Sequence, residues 1–227
     1  MSNAFFVAGT DTEVGKTVCS RAIIQAAVAA GVNIAGFKPV ASGSQLTPVG
    51  TRNTDALYLL DAANVEMSYE EVNPYPLVEA ASPHLAARKE GVSIDFDVID
   101  TAFENAKSKA EVVLVEGAGG WRVPVADDKY LSEWVQHQQL PVILVVGVKL
   151  GCMSHAILTA EAIERDGLKV VGWVANRINP GLDNYADVIR LLEAKLPGNK
   201  LGEIPYMPGI TKRDLSKYID FSLLQGE

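Results

Sequence analysis

The sequence predicts an α/β fold in which a doubly wound, mostly parallel β-sheet carries helices on both faces. Short apolar runs alternate with longer segments of helical character, which is the order of βαβ units joined by right-handed crossovers. Several runs are continuous in Val, Ile and Leu without polar alternation, as in strands that are buried on both faces. The chain has 227 residues, which fits one large domain, so we expect residues 1–227 to form a single unit.

Each predicted strand is a short apolar run, and each predicted helix is a longer segment between two runs. The strands are expected at residues 5–8, 34–39, 112–115, 142–148, 170–175 and 201–204. The helices are expected at residues 16–30, 54–63, 96–109, 153–166 and 183–196. Thr54 is a candidate N-cap, while Gly31 and Gly167 stand where helices commonly end. Residues 40–52 and 73–93 are rich in Ser, Thr, Gly and Pro, and are predicted as long loops on the ligand side of the sheet.

The first strand leads into a candidate phosphate-binding loop, the segment from Gly9 to Thr17 (GTDTEVGKT), and then into a helix. Backbone N–H groups of such a loop and the dipole of the helix that follows can bind phosphate oxygens. Lys16 can reach the β- and γ-phosphates, and the Thr17 hydroxyl can bind Mg²⁺. The strict pattern places its first glycine at position 10, where this chain has Thr10; Gly9 stands one residue earlier. The strand–loop–helix context predicts a fold of the P-loop NTPase type.

Two acidic residues are candidate magnesium ligands. Glu116 follows the apolar run Val112 to Val115, and ligands of open α/β sheets bind at the carboxyl ends of such strands. The glycines after it let the backbone approach a ligand closely. Asp55 lies at a predicted helix start, where the helix dipole favours an Asp whether or not it binds a metal.

Composition limits the partners that we expect. The net charge is −8 and no Lys/Arg-rich run occurs, which argues against nucleic acid as a partner. No apolar run approaches the roughly 20 residues that a membrane-spanning helix needs, so we expect no membrane insertion. Cys19 and Cys152 are far apart and show no metal-ligand spacing, which is typical of free thiols in the cytoplasm.

Seven segments together resemble the dethiobiotin synthetase family, and they occur in the expected order over nearly the whole chain. They are GTDTEVGKT (9–17), GFKPVASG (36–43), NTDA (53–56), VEGAGG (115–120), residues 145–151, GWVAN (172–176) and LGEIP (201–205). The resemblance includes the displaced first glycine of the phosphate loop.

The resemblance implies an ATP- and Mg²⁺-dependent ligase of biotin biosynthesis that converts 7,8-diaminopelargonate, CO₂ and ATP to dethiobiotin, ADP and phosphate. One amine takes up CO₂ as a carbamate, the carbamate attacks the γ-phosphate, and the second amine closes the cyclic urea. In the family pattern Lys38, Lys16 and Thr12 are catalytic, and Lys38 contacts the carbamate. Thr12 and Ser42 orient the diamine or the carbamate.

The resemblance also implies the residues that bind the nucleotide and the metal. Magnesium is held by Thr17, Asp55 and Glu116, and adenine lies against Asn176 and the segment that begins at Pro205. The implied ATP-binding residues are Glu13, Val14, Gly15, Lys16, Thr17, Val18, Asp55, Glu116, Gly117, Ala118, Gly119, Asn176, Arg177, Pro205, Tyr206 and Met207.

The family resemblance further implies a homodimer with composite active sites. The carboxylate of the substrate is expected to meet a helix N-terminus of the partner subunit. In this chain the matching segment consists of Gly151, Cys152, Met153 and Ser154.

Two other function classes share parts of this pattern. Related amide-forming ligases such as the cobyrinic acid amidating enzymes usually carry a further glutamine-hydrolysing domain, for which 227 residues leave no room. Partitioning-type ATPases typically place a second lysine early in the loop, where this chain has Thr10, Asp11, Thr12 and Glu13. The segment around Lys38 and Ser42 would also have no explanation in such an ATPase.

Overall fold

A six-stranded parallel β-sheet forms the centre of the computed structural model, which describes residues 4–224. The strands in chain order are β1 (Ala4–Gly9), β2 (Ile34–Phe37), β3 (Val40–Ala41), β4 (Gln45–Thr47), β5 (Gly50–Arg52), β6 (Tyr75–Pro76), β7 (Val112–Gly120), β8 (Pro124–Ala126), β9 (Lys129–Tyr130), β10 (Val142–Gly147), β11 (Val170–Asn176) and β12 (Asn199–Ile204). The central sheet has the order β12-β11-β10-β1-β7-β2, and the short strands pair as β3 with β6, β4 with β5 and β8 with β9.

Helices connect the strands and cover both faces of the sheet. They are α1 (Lys16–Ala29), α2 (Thr54–Ala62), α3 (Tyr69–Val72), α4 (Pro83–Glu90), α5 (Phe96–Lys109), α6 (Leu131–His137), α7 (Cys152–Arg165) and α8 (Tyr185–Lys195). Short 3₁₀ turns follow between residues 210 and 224. None of the helices in residues 4–224 combines the length and the apolar character that crossing a lipid bilayer requires.

Apolar side chains pack against both faces of the sheet, because successive residues of a strand point to opposite sides. In β1, Phe6 and Ala8 belong to one apolar cluster together with Trp134 of α6. Phe5 and Val7 belong to a second cluster, which contains the buried apolar residues of α1. This two-sided burial confirms the prediction made from the continuous apolar runs, and the doubly wound parallel sheet is the observed fold.

The predicted strands are all present, with two boundary differences that affect the site. β2 ends at Phe37, so Lys38 leaves the sheet immediately at the carboxyl end of the strand. β7 continues to Gly120, so Glu116 lies inside the strand rather than after it. The predicted helices correspond to α1, α2, α5, α7 and α8, and Gly31 and Gly167 adopt positive φ angles of 80° and 82° just beyond helix ends.

Three expectations about local structure were wrong. Residues 40–52 contain β3 and the β4–β5 hairpin, and residues 73–93 contain β6 and α4, so neither stretch is a plain loop. Thr54 is the first residue of α2 rather than its cap. Asn53 is the N-cap instead: it has an extended backbone, and its side chain accepts a hydrogen bond from the Asp55 N–H.

Candidate active site

The phosphate-binding loop joins the end of β1 to the start of α1, in the middle of the sheet. Gly9 ends β1, where a Cβ atom would lie 2.9 Å from the Asp11 carbonyl oxygen and 3.0 Å from the Lys16 ammonium nitrogen. Side-chain carbons do not approach neighbours this closely, so the fold of the loop needs glycine at position 9. This contact is a physical reason for the displaced first glycine.

The second glycine of the loop, Gly15, has a φ of 85° and is the N-cap of α1. A Cβ atom there would overlap the amide nitrogen of Asn176, which lies at the end of β11. That amide nitrogen donates a hydrogen bond to the Val14 carbonyl oxygen (2.9 Å), and Asn176 is buried. Asn176 therefore supports the loop from the neighbouring strand.

The start of α1 provides free backbone donors at the loop. The first hydrogen bond within the helix is the one from the Cys19 N–H to the Gly15 carbonyl oxygen (3.0 Å). The earlier N–H groups, including those of Thr17 and the half-buried Val18, have no partner inside the helix and point along its axis. Such donors, together with the helix dipole, favour an anion at this position.

Lys16 lies across the loop and is 8% exposed. Its ammonium group donates to the carbonyl oxygens of Gly119 (2.6 Å) and Asp11 (3.2 Å). Burial and the nearby charge of Lys38 lower the pKa of Lys16 to about 8. Among residues 4–224, no carboxylate lies in hydrogen-bond contact with the Lys16 ammonium group, and an incoming phosphate would supply the missing negative charge.

Lys38 and Glu116 form a buried ion pair at the carboxyl ends of β2 and β7. The Lys38 ammonium donates to Glu116 Oε1 (2.7 Å) and to the Gly117 carbonyl oxygen (2.9 Å). Lys38 is 3% exposed and Glu116 is 0% exposed. Burial lowers the pKa of Lys38, but the charges of Glu116 and Asp55 outweigh burial and raise the pKa above its ordinary value. Lys38 therefore remains a cation in the interior of the site.

The remaining predicted metal ligands lie around the same ion pair. Thr17 donates its hydroxyl to Glu116 Oε1 (2.9 Å), and Asp55 Oδ2 lies 3.5 Å from the Lys38 ammonium nitrogen. Glu116 Oε2 is buried and has no hydrogen-bond partner among residues 4–224. A buried carboxylate oxygen without a donor is costly unless a cation or water meets it, so this oxygen fits a metal ion.

Within the described part of the chain, no three His, Cys, Asp or Glu side chains are grouped as a metal site. Thr17, Asp55 and Glu116 offer two carboxylates and one hydroxyl instead. Magnesium is commonly held by one or two carboxylates and completes its coordination with water and substrate phosphates. The donor set therefore fits Mg²⁺ that arrives with a nucleotide.

These groups open into a cleft of about 940 Å³. Among the residues predicted for the site, those that line it are Thr12, Glu13, Gly15, Lys16, Thr17, Lys38, Ser42, Asp55, Glu116, Ala118 and Gly119. Ser42 Oγ is buried and without a partner in the described residues, which leaves it available to a ligand.

Sequence reasoning missed one wall of the cleft. Residues 80–83 line it from the start of α4, and Arg122 and Val123 line it from the segment after β7. The Ser82-Pro83 pair, an N-cap followed by proline at the first helical position, is a helix-start signal that could have revealed α4. Arg122 carried no comparable signal, because its place depends on an ion pair with Asp166 at the end of α7 (2.6 Å).

The predicted adenine residues do not line this cleft and lie beside the loop, at the ends of β11 and β12. The Arg177 N–H donates to the Ile204 carbonyl oxygen (2.9 Å), which holds Arg177 next to the segment that starts at Pro205. Tyr206 is 53% exposed, and the Met207 sulfur accepts a hydrogen bond from the Tyr218 hydroxyl (3.8 Å). Adenine binding by these residues stays a prediction.

The four residues expected to bind the carboxylate lie at the N-terminus of α7, and none of them lines this cleft. Gly151 is the N-cap, with a φ of 87°. Cys152 is buried, and its N–H already donates to the Lys149 carbonyl oxygen (3.1 Å). The N–H groups of Met153 and Ser154 are the ones that helix geometry leaves for a ligand.

Comparisons with known proteins agree with this geometry. Residues 3–214 match a family model described as an AAA domain. The chain is 65% identical to "ATP-dependent dethiobiotin synthetase BioD" of Photobacterium profundum, over 92% of this chain and 96% of that protein. It is 58% identical to the protein of the same name from Aliivibrio fischeri, over 99% of each chain.

Solved structures of low sequence identity share the fold. A chain of the MinC:MinD cell division protein complex of Aquifex aeolicus superposes with a TM-score of 0.60 at 17% identity, covering 99% of this chain and 96% of that chain. A ParA family ATPase from Chlorobium tepidum TLS gives a TM-score of 0.57 at 11% identity, covering 99% and 92%. At these identities the similarity establishes the fold alone, whereas the relatives above match at high identity over nearly their whole length. The chain therefore belongs to the ATP-dependent dethiobiotin synthetase family.

Proposed function

We propose that this protein converts 7,8-diaminopelargonate, CO₂ and ATP to dethiobiotin, ADP and phosphate. One observation carries the proposal: two buried lysines, Lys16 and Lys38, line one cleft with the buried carboxylate Glu116 between them. The reaction must bring a carbamate into contact with a γ-phosphate, and both groups are anions. A site with two fixed cations is suited to that encounter.

Each step of the reaction balances without a further reactant. An amine of the substrate adds to CO₂ and loses a proton, which gives the carbamate. A carbamate oxygen attacks the γ-phosphorus, and ADP leaves with the electrons of the broken P–O bond. The second amine then attacks the carbonyl carbon of the mixed anhydride, phosphate departs, and a proton is lost as the cyclic urea closes.

The loop and α1 bind the triphosphate. Backbone N–H groups from Glu13 to Val18 face the phosphates, with Val14 and Gly15 forming the turn before the helix. Lys16 exchanges its carbonyl partners Gly119 and Asp11 for the β- and γ-phosphate oxygens. Because no carboxylate in the described part of the chain is in hydrogen-bond contact with Lys16, this exchange breaks no ion pair there.

Lys38 binds the carbamate, and Thr12 and Ser42 orient the diamine beside it. Two unit charges about 4 Å apart interact by roughly 4 kcal/mol at an effective dielectric constant of 20. Lys38 is fixed by Glu116 and by the Gly117 carbonyl before substrate arrives, so little reorganisation is needed in the transition state.

Thr17, Asp55 and Glu116 would hold magnesium, and Glu116 Oε2, which has no hydrogen-bond partner among residues 4–224, supports this assignment. The ion supplies positive charge at the phosphates. The backbone of Gly117, Ala118 and Gly119 lies beside the phosphates. Lys38, directly after β2, lies next to the metal ligands Asp55 and Glu116.

Asn176 and Arg177, with Pro205, Tyr206 and Met207, form the base site. An amide at the end of a buried strand can pair with the donor and acceptor edge of adenine. Asn176 already binds the loop through its amide nitrogen, so the same residue links the base to the phosphate end.

Two subunits complete each site. Gly151, Cys152, Met153 and Ser154 of one subunit receive the substrate carboxylate in the cleft of the other subunit. The absence of these residues from the lining of their own cleft supports this arrangement, and so does Leu150, an apolar side chain next to them that is 89% exposed.

Residues 1–227 form one domain, and the enzyme works in the cytoplasm, where ATP is plentiful and its free thiols Cys19 and Cys152 remain reduced.

The test measures ADP and dethiobiotin together, with ATP and Mg²⁺ and with or without the diamine and ¹³C-bicarbonate. We expect equal amounts of ADP and cyclic urea, with ¹³C in the urea carbonyl. A substrate analogue that lacks one of the two amines should give no cyclic product. ADP formation that is indifferent to the diamine would refute the ligase and favour a partitioning-type ATPase.

A further inference from the structure

A ring of four hydrogen bonds and one ion pair joins Lys38 to Asp55 through side chains that the proposed reaction does not use. The Asn73 amide nitrogen donates to the Lys38 carbonyl oxygen (2.6 Å), and the Tyr69 hydroxyl donates to Asn73 Oδ1 (2.8 Å). The same hydroxyl accepts from the Asn53 N–H (2.6 Å), and Asn53 Oδ1 accepts from the Asp55 N–H (2.9 Å). The Lys38 ammonium lies 3.5 Å from Asp55 Oδ2, which closes the ring.

Four of the five members of this ring, Lys38, Asn53, Tyr69 and Asn73, are buried although they are polar, whereas the Asp55 side chain is 44% exposed. Asn73 is 1% exposed, Asn53 is 5% exposed and Tyr69 is 7% exposed. Burying a polar group costs free energy unless its hydrogen bonds are made, and a connected network fixes its members in one arrangement. Such a network is therefore a rigid link between the elements that it joins.

The ring joins three parts of the chain that are distant in sequence. Lys38 follows β2, Asn53 caps α2, and Tyr69 and Asn73 stand at the two ends of α3. The Asn53 side chain also donates to the Ser42 carbonyl oxygen (3.2 Å), so the ring extends to another residue that lines the cleft.

One contact and its retained proton fix the Tyr69 hydroxyl as the junction of the ring. The guanidinium carbon of Arg52 lies 4.2 Å from the centre of the Tyr69 aromatic group, and this contact fixes the plane of that group. Burial raises the pKa of Tyr69, partly offset by the hydrogen bond from Asn53 and the charge of Arg52, so the hydroxyl keeps the proton that it donates to Asn73.

We propose that Tyr69 is a positioning residue: through Asn53 and Asn73 it sets the placement of Lys38, the cation that faces the carbamate, relative to the magnesium ligand Asp55. This inference rests on the proposed function. The phosphate loop lies outside the ring, because β1 and α1 position it and Asn176 supports it.

Tyr69→Phe removes the hydroxyl and keeps the aromatic side chain, so it breaks the hydrogen-bonded ring at Tyr69. We expect kcat for dethiobiotin formation to fall roughly ten- to a hundredfold, because small misplacements of positioned groups cost this much. The Kd of ADP in EDTA, which reports the loop without magnesium, should stay within about twofold of wild type. Magnesium binding to the ADP complex, measured by calorimetry, should weaken in parallel with kcat.

The matched control is Tyr75→Phe. The Tyr75 hydroxyl also accepts a hydrogen bond from a backbone N–H, that of Asp95 (2.9 Å). Asp95 is the N-cap of α5, so this hydrogen bond is not part of the ring. Tyr75→Phe should leave kcat and magnesium binding unchanged. Equal losses in the two variants would overturn the proposal, because they would reflect a general loss of a tyrosine hydroxyl.

Asn73→Leu cuts the ring at another member and should reproduce the kinetic and magnesium signatures of Tyr69→Phe. Near-normal kcat and magnesium binding in a folded Tyr69→Phe protein would refute the positioning role. The measurement of magnesium binding does not depend on formation of dethiobiotin, so it separates this inference from the proposed function. Wild-type protein that binds Mg²⁺-ADP but makes no dethiobiotin would refute the proposed function and not the role of Tyr69 in magnesium binding.

Discussion

Replacing Lys38 by leucine separates binding of the nucleotide from phosphoryl transfer. The side chain is buried and touches Glu116, Gly117 and Asp55, whereas the phosphate loop is held by Lys16 and α1. The variant Lys38→Leu removes the cation that faces the carbamate and keeps an apolar side chain in the core. We expect turnover to collapse while ADP still binds.

The size of the effect follows from the charges. A fixed cation about 4 Å from a carbamate oxygen contributes roughly 4 kcal/mol at an effective dielectric constant of 20. Because each 1.36 kcal/mol or so corresponds to a factor of ten in rate, kcat should fall roughly 10³-fold. The Kd of ADP should change by less than about fivefold, since Lys16 and the N–H groups of α1 are untouched.

The same substitution should destabilise the protein. It leaves Glu116 buried without its ammonium partner, and no group in residues 4–224 donates to Oε2. Breaking one side of a buried ion pair costs about 3–5 kcal/mol, measured here as the free energy of unfolding in urea with EDTA. The double variant Lys38→Leu/Glu116→Leu should recover most of that stability and none of the activity.

A surface lysine provides the control. Lys89 pairs with Glu79 (2.6 Å), and the two side chains are 66% and 40% exposed. Lys89→Leu should change the free energy of unfolding by less than about 1 kcal/mol and leave kcat unaltered. A folded Lys38→Leu protein with kcat within tenfold of wild type would refute the carbamate role of Lys38, and so would a loss of ADP affinity that matches the loss of rate.

Three further outcomes concern the phosphate loop. Lys16→Gln should abolish product formation with little change in the urea unfolding midpoint, because the amide can still donate to Gly119; near-normal product would refute the loop assignment. Gly15→Ala should weaken ADP binding at least tenfold and lower the free energy of unfolding by about 1–3 kcal/mol, because the methyl group meets Asn176 at a positive φ; an unchanged ADP titration would contradict this. In the wild-type protein, ADP affinity should fall as the pH rises above about 8, because Lys16 has a pKa of about 8, loses its proton there and binds phosphate as a cation; isothermal titration of Lys16→Gln, which has no such proton, should show no matching decline.

The sequence predicted the central sheet because each of its strands carries its own signal. A strand that is buried on both faces must be apolar at nearly every position, and β10 and β11 are buried throughout. Helices α3, α4 and α6 span only 4, 8 and 7 residues, about two turns or fewer, so the helical period hardly repeats in them. They were not predicted, although the Ser82-Pro83 pair marks the start of α4.

Three central residues of the candidate site could be predicted one by one from the sequence, but their assembly into one cleft could not. Lys16, Lys38 and Glu116 could be predicted, because each lies at or near the carboxyl end of a parallel strand, where ligands of such sheets bind. Their place in one cleft follows from the strand order β1-β7-β2, which places the three strand ends side by side. A local pattern therefore identified each residue, and the topology of the sheet brought them together.

The ring through Tyr69 could not be predicted from local patterns, and it illustrates a general difference. Tyr69 and Asn73 are four residues apart, a spacing that many short helices contain, and nothing nearby indicates that their partners are Asn53 and Lys38. Only the packing of α3 against the end of β2 converts a tyrosine and two asparagines into a link between a cation and a metal ligand. Residues that touch substrate stand where strands end, so a sequence can reveal them; residues that position them are defined by pairs of contacts between elements, so they become visible only in three dimensions.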